Sequence, residues 1–144
     1  MQAVSAPTAH MSIAPPTSLP PPPLLTNSEL AALIEGSTQP LLLIDARPYS
    51  AFALTHITGS INVRLSNILV RRLASGRISV EDLLPDDQKA LFQAMADRAL
   101  IVVFDDKPFI GNDADTKLTV INALRTAGRQ TVCLNGLSRL CLVL

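Results

Sequence analysis

Few side chains in this 144-residue sequence are equipped for chemistry. Cys133 and Cys141 are its only cysteines and His10 and His56 its only histidines, and they form neither a CxxC pair nor a zinc set. Asp105 and Asp106 end the apolar run "LIVVF", with Asp113 and Asp115 following in the loop "DDKPFIGNDADT". Such carboxylates can hold Mg²⁺ or Ca²⁺ through their oxygens, or divide acid and base work. The spacing, however, lacks the glycine-centred regularity of a calcium loop, so a solvated loop without metal is expected. A second constellation is basic. "NILVRRLASGR" carries Arg71, Arg72 and Arg77, Arg64 precedes it, and no acidic residue lies between Asp45 and Glu81. Arginine pairs carboxylates bidentately, so this cluster, edged by Ile68, Leu69 and Val70, reads as a docking surface for an acidic partner. The competing readings are a helix-dipole contact and a plain solvated face. A third group is architectural: Asp45 and Arg47 are within reach of an ion pair, His56 suits a hydrogen-bonded scaffold position, and Gly59 allows a tight turn.

Composition limits the elements that can position these residues. Hydrophobic residues make up 48% of the chain, but it has one Tyr, four Phe and no Trp, so its core must be aliphatic. That disfavours base-stacking nucleic-acid modules, which need aromatic platforms. Twelve basic and twelve acidic residues cancel, leaving no global field to draw the protein to nucleic acid or membrane. The start "MQAVSAPTAH" lacks a signal-peptide pattern and no apolar stretch approaches a membrane span, so a reduced compartment, cytoplasm or nucleus, is expected.

The length fits one domain. Residues 1–25 read as a disordered proline-rich tail, in which "LPPPP" (Pro20–Pro23) has the preset shape that a polyproline-binding module takes. Residues 26–144 read as the folded domain. "TNSE" has the form of a capping box opening the helix "SELAALIE", which stops at Gly36. "PLLLIDA" and "INV" read as strands, "PDDQKALFQAMADRA" as a helix, "LIVVFDD" as a central strand, "DADTKLTVINALRTAG" as a helix capped near Asp113 or Asp115, and "QTVCLNG" as a last strand. This alternation predicts an α/β fold with an open, mostly parallel sheet covered by helices on both faces. The arginines then fall on a helix with Ser66 as N-cap and Gly76 after its last turn. Helical phase buries Leu65, Leu69 and Leu73, turns Arg64 and Arg71 outward and sets Arg72 at the flank.

The string "LLLIDARPYSAFALTHITGSINV" resembles the opening of a rhodanese-like domain: an apolar strand, Asp-x-Arg, then His-Ile-x-Gly-Ser/Ala-x-Asn. Asp45, Arg47, His56, Gly59, Ser60 and Asn62 fill those places. "INVRLSNILVRRLASGRISVEDLLP" resembles, more narrowly, the rhodanese-like kinase-binding domain at the N-terminus of MAP-kinase phosphatases, which are dual-specificity protein phosphatases. The resemblance spans about Ser28 to Leu140. It implies that a nucleophilic cysteine of active rhodaneses would stand where this chain has Asp105, and kinase-binding domains also lack that cysteine. The implied function is noncatalytic docking of a MAP kinase without a cofactor, its acidic groove taking Arg71 and Arg72 and an apolar groove taking Ile68, Leu69 or Val70. The parent enzyme would dephosphorylate phosphotyrosine and phosphothreonine on the kinase. The rivals are a rhodanese-type sulfurtransferase and a proline-rich adaptor. No phosphatase catalytic domain follows in these residues, and "LNGLSRL" keeps only Gly136 of the family's Gly-Gly-aromatic turn, as in a fragment or a natural short form. The ending "CLVL" fits a prenylation box at Cys141, the one route to a membrane, although Arg129 and Arg139 are its only nearby upstream basic residues.

Overall fold

The computed structural model describes residues 20–36, 38–63, 65–107 and 116–135. Its centre is two strands, β2 (Leu41–Asp45), apolar up to its terminal Asp45, and the all-apolar β4 (Leu100–Phe104), paired in parallel from Leu41 opposite Leu100 to Asp45 opposite Phe104. Continuous apolar runs of this kind suit strands buried on both faces, because side chains alternate between the two sides. Leu42, Ile44, Ile101 and Val103 enter one core, and Leu43, Leu100, Val102 and Phe104 enter the other. Strands β1 (Leu24–Leu25), β3 (Ile61–Asn62) and β5 (Thr131–Leu134) complete a sheet of order β1-β5-β4-β2-β3 in which every pairing is parallel.

Helices cover both faces, as the alternating pattern predicts. The first core contains Leu73 of α3 (Asn67–Ala74), Phe92 of α4 (Asp86–Met95), and Val120, Ile121 and Leu124 of α5 (Thr116–Thr126). The second is closed by Leu30 of α1 (Asn27–Gly36) and by Ile57, which follows the short helix α2 (Tyr49–Leu54). At the start of α1 the capping box forms: Glu29 N donates to Thr26 Oγ1 at 3.1 Å, and Thr26 N to Glu29 Oε1 at 2.9 Å. Beyond α3, a 3-10 turn (Val80–Leu83) leads to α4. Arg129 ties this region to the sheet, contacting Glu81 at 3.0 Å and Asp97 at 3.3 Å with its guanidinium 5.1 Å from the Phe92 ring centroid.

The expected tail boundary needs moving. Leu24 and Leu25 form an edge strand on β5, Cys133 N donates to the Pro23 carbonyl at 2.9 Å, and Asn135 N to the Leu25 carbonyl at 3.0 Å. Arg125 Nη1 donates to the Pro20 carbonyl at 2.5 Å, and Pro22 is buried. Proline is compatible with this position because an edge needs donors on only one side, and its carbonyl remains an acceptor. Arg64, Asp113, Asp115, Gly136 and Cys141 lie outside the described residues.

Candidate functional site: a buried ion-pair cleft beside a basic helix

In a parallel α/β sheet the carboxyl ends of the strands form the natural crevice for ligands. Here β2 ends on Asp45 and β4 runs into Asp105, so both carboxylates sit at that edge. Asp45 is fully buried and is satisfied by the neighbour two residues on: it accepts from Arg47 N at 2.9 Å, Nε at 3.1 Å and Nη2 at 2.9 Å. Arg47 Nη2 also donates to the Thr55 carbonyl at 2.6 Å, and Asn62 Nδ2 donates to the carbonyls of Asp45 and Arg47 at 3.0 and 2.9 Å. This network pins β2, β3 and the loop between them. His56 is part of the same scaffold, its Nδ1 2.7 Å from the Phe52 carbonyl and its ring stacked on Phe52 at 3.9 Å between centroids. Gly59 turns the chain at a φ of 85°, a conformation that side chains with a Cβ rarely adopt.

Asp105 differs from the solvated carboxylate expected there. It is 8% exposed, and its Oδ1 accepts from Lys117 Nζ and from Lys107 N, each at 2.8 Å. Lys117 is 1% exposed and also reaches the Lys107 carbonyl at 3.3 Å. A charge this deeply buried requires a partner, and each of these residues supplies the other's. The sequence carried a signal for the pair. Lys117 falls on the same face of α5 as the buried Val120, Ile121 and Leu124, where an ammonium needs a carboxylate. Asp106 and Lys107 remain exposed.

An open cleft of about 540 Å³ borders Asp105, its lining including the apolar Leu65 and Leu69, Tyr49, and the charged Asp106 and Lys107. Cys133 is not part of it: that thiol is buried in β5, 3.4 Å from the Leu134 carbonyl. Among the described residues no three His, Cys, Asp or Glu side chains converge on a possible metal position.

The apolar wall of the cleft is the start of α3. Ser66 caps that helix, its Oγ accepting from Leu69 N at 3.2 Å, and Gly76 closes it at a φ of 78°. Arg77 N donates to the Arg72 carbonyl at 3.0 Å and Gly76 N to the Leu73 carbonyl at 3.2 Å, the paired closure that a left-handed glycine permits. Of the expected leucine stripe only Leu73 is fully buried; Leu65 packs beside it half-buried, and Leu69 turns to the cleft. Arg71, Arg72 and Arg77 are exposed with no ion pair among the described residues. Ile68 is 59% exposed beside them and Val70 is half-buried. Among the described residues the helix therefore presents uncompensated positive charge next to exposed aliphatic surface.

The family model described as "Rhodanese-like domain" matches residues 26–136. Human dual specificity protein phosphatase 4 is 33% identical over 98 residues, covering 65% of this chain and 25% of that protein. Human dual specificity protein phosphatase 5 is 36% identical over 67 residues, 44% of this chain and 17% of that protein. The chain spans about a quarter of the length of the first of these relatives. Two solved single-domain sulfurtransferases share the architecture. The human protein superposes with a TM-score of 0.51 at 21% identity, covering 81% of this chain and 92% of that one. The Saccharomyces cerevisiae protein does so with a TM-score of 0.53 at 15% identity, covering 88% and 93%. No helix among the described residues is long and apolar enough to cross a membrane. The parallel sheet, the Asp45–Arg47 network at its edge and a family match across most of the sequence agree: this chain belongs to the rhodanese-like domain family.

Proposed function

We propose that this chain is a noncatalytic docking domain that binds MAP kinases, the regulatory part of a dual-specificity protein phosphatase. The observation that carries the proposal is the uncompensated Arg71–Arg72 pair on α3, flanked by exposed Ile68, in a chain whose curated relatives are dual specificity protein phosphatases. Guanidinium groups pair bidentately with carboxylates, so Arg71 and Arg72, with Arg77 just after them and Arg64 seven residues before Arg71 in the sequence, suit an acidic groove on the kinase. Ile68, Leu69 and Val70 supply the apolar half of the contact. The Asp105–Lys117 pair supports the noncatalytic part. A sulfurtransferase of this fold needs a thiolate at the end of the central strand, and here that place holds a carboxylate already engaged by an ammonium. The parent phosphatase would act on phosphotyrosine and phosphothreonine of the bound kinase, in the cytoplasm or nucleus.

The test is titration calorimetry against a panel of purified MAP kinases. Replacing both arginines, Arg71→Ala with Arg72→Ala, weakens binding by roughly tenfold at low salt and by less at high salt, because exposed charges are screened. Equal affinity of parent and double variant would end the docking reading.

The fold shared with sulfurtransferases motivates a second reading, which a thiosulfate–cyanide assay decides. Turnover by the parent chain that is lost when Cys133 or Cys141 is replaced would make the chain a sulfurtransferase. The adaptor reading is weakened by the engagement of "LPPPP" with the fold, since the Pro20 and Pro23 carbonyls accept hydrogen bonds and Pro22 is buried.

A further inference from the structure

We propose that Ser75 is a phosphorylation site for an arginine-directed serine/threonine kinase, and that its phosphate switches the docking helix off. The switch rests on the docking reading; the modification site does not. Ser75 follows Arg72 by three residues and Arg71 by four, and Arg77 lies two residues beyond it. It is the first residue past α3, and Ala74, Ser75, Gly76 and Arg77 form a continuous exposed run. Its Oγ donates to the Arg72 carbonyl at 3.0 Å, a surface contact that water can replace. An acceptor hydroxyl preceded by free guanidinium groups is what a kinase with acidic subsites reads, and Arg71 and Arg72 have no carboxylate partner among the described residues. A kinase needs its substrate extended. The eight-residue helix α3 ends there against a glycine, so only its last turn has to open, with Leu73 leaving the core as it does.

The neighbouring serines are worse acceptors. Ser66 Oγ is committed to capping α3, and Ser79 Oγ donates to Asp82 Oδ2 at 3.2 Å, with Glu81 beside it, so a phosphate there would meet two carboxylates. In the proposed reaction Ser75 Oγ attacks the γ-phosphorus of ATP. The bond from that phosphorus to the β-bridging oxygen breaks, ADP leaves, and the seryl proton passes to the kinase's base. The product carries about −1.5 to −2 charge. At the carboxyl end of α3 that charge gains nothing from the helix dipole, so it is held by the guanidinium groups of Arg71, Arg72 and Arg77. Those are the groups an acidic docking groove requires, and the phosphate competes for them directly.

The full chain is incubated with ATP and a purified arginine-directed serine/threonine kinase, and the product is mapped by tandem mass spectrometry. One phosphate at Ser75, absent from Ser75→Ala, supports the site; no phosphate at Ser75 overturns it. Affinity for MAP kinase is then measured for the phosphorylated chain, Ser75→Glu and Ser75→Ala. The switch predicts about tenfold weaker binding for the phosphorylated chain, weaker binding for Ser75→Glu, and parental affinity for Ser75→Ala. Phosphorylated chain binding as tightly as the parent overturns the switch while leaving docking intact. A parent chain that binds no MAP kinase removes the docking reading and the switch together, and the mass spectrum still judges the site.

Discussion

Lys117 Nζ donates to Asp105 Oδ1 at 2.8 Å across the gap between α5 and the end of β4, and both residues are almost sealed from solvent. Each charge helps the other to be tolerated there, since desolvation penalises an isolated buried ion by several kcal/mol. The same contact anchors α5 to the end of the central strand.

Removing one partner therefore does more harm than removing both. Lys117→Met strands the Asp105 carboxylate and lowers unfolding stability by about 3 kcal/mol in urea titration. The double variant with Asp105→Ala recovers part of that loss, because no buried charge is left. Additive losses in the double-mutant cycle would show that the pair is not coupled.

The segment 20–25 belongs to the fold. Its removal takes away β1 and the Pro23 and Leu25 carbonyls that accept from Cys133 N and Asn135 N. Deletion of residues 1–25 should lower the thermal midpoint and raise hydrogen exchange at the amides of Cys133 and Asn135. A shortened chain with unchanged exchange at those two amides would mean that the edge strand contributes nothing.

Acid sensitivity has an identifiable local source. The Ser79 backbone amide, followed by the Ser79 hydroxyl, holds the Asp82 carboxyl below its ordinary value of 3.8. A carboxyl depressed on folding contributes stability above the unfolded value and loses it as pH falls through the folded one. The Asp82 contribution is thus present at neutral pH and disappears below about pH 4. Carbon-detected titration should place the Asp82 midpoint below 3.8 in the parent, and Ser79→Ala should move it upward. An unmoved midpoint would exclude the Ser79 hydroxyl as a cause and leave the backbone amide, which the substitution keeps.

Much of the architecture was legible because it is written in local pattern. Apolar runs ending in Asp45 and Asp105 specify central parallel strands, and the Thr26–Glu29 box and the Ser66 and Gly76 caps specify helix ends. The Asp45–Arg47 pair is equally local, two residues apart, so the sequence determines it without knowledge of the fold.

Contacts between distant segments were decided only by the tertiary structure. Leu24 and Leu25 have no strand pattern of their own and pair because β5 leaves an open edge beside them, more than a hundred residues away in sequence. Asp105 looks solvated in a run of acidic residues until α5 brings Lys117 against it. Leu69 falls on the leucine stripe by helical phase, yet packing leaves it lining the cleft rather than filling the core. Local periodicity fixes which face of an element is apolar, because that depends on backbone geometry alone. Which charge is buried, which edge is covered and which leucine stays wet depend on what the chain places opposite, and that is a property of the folded whole.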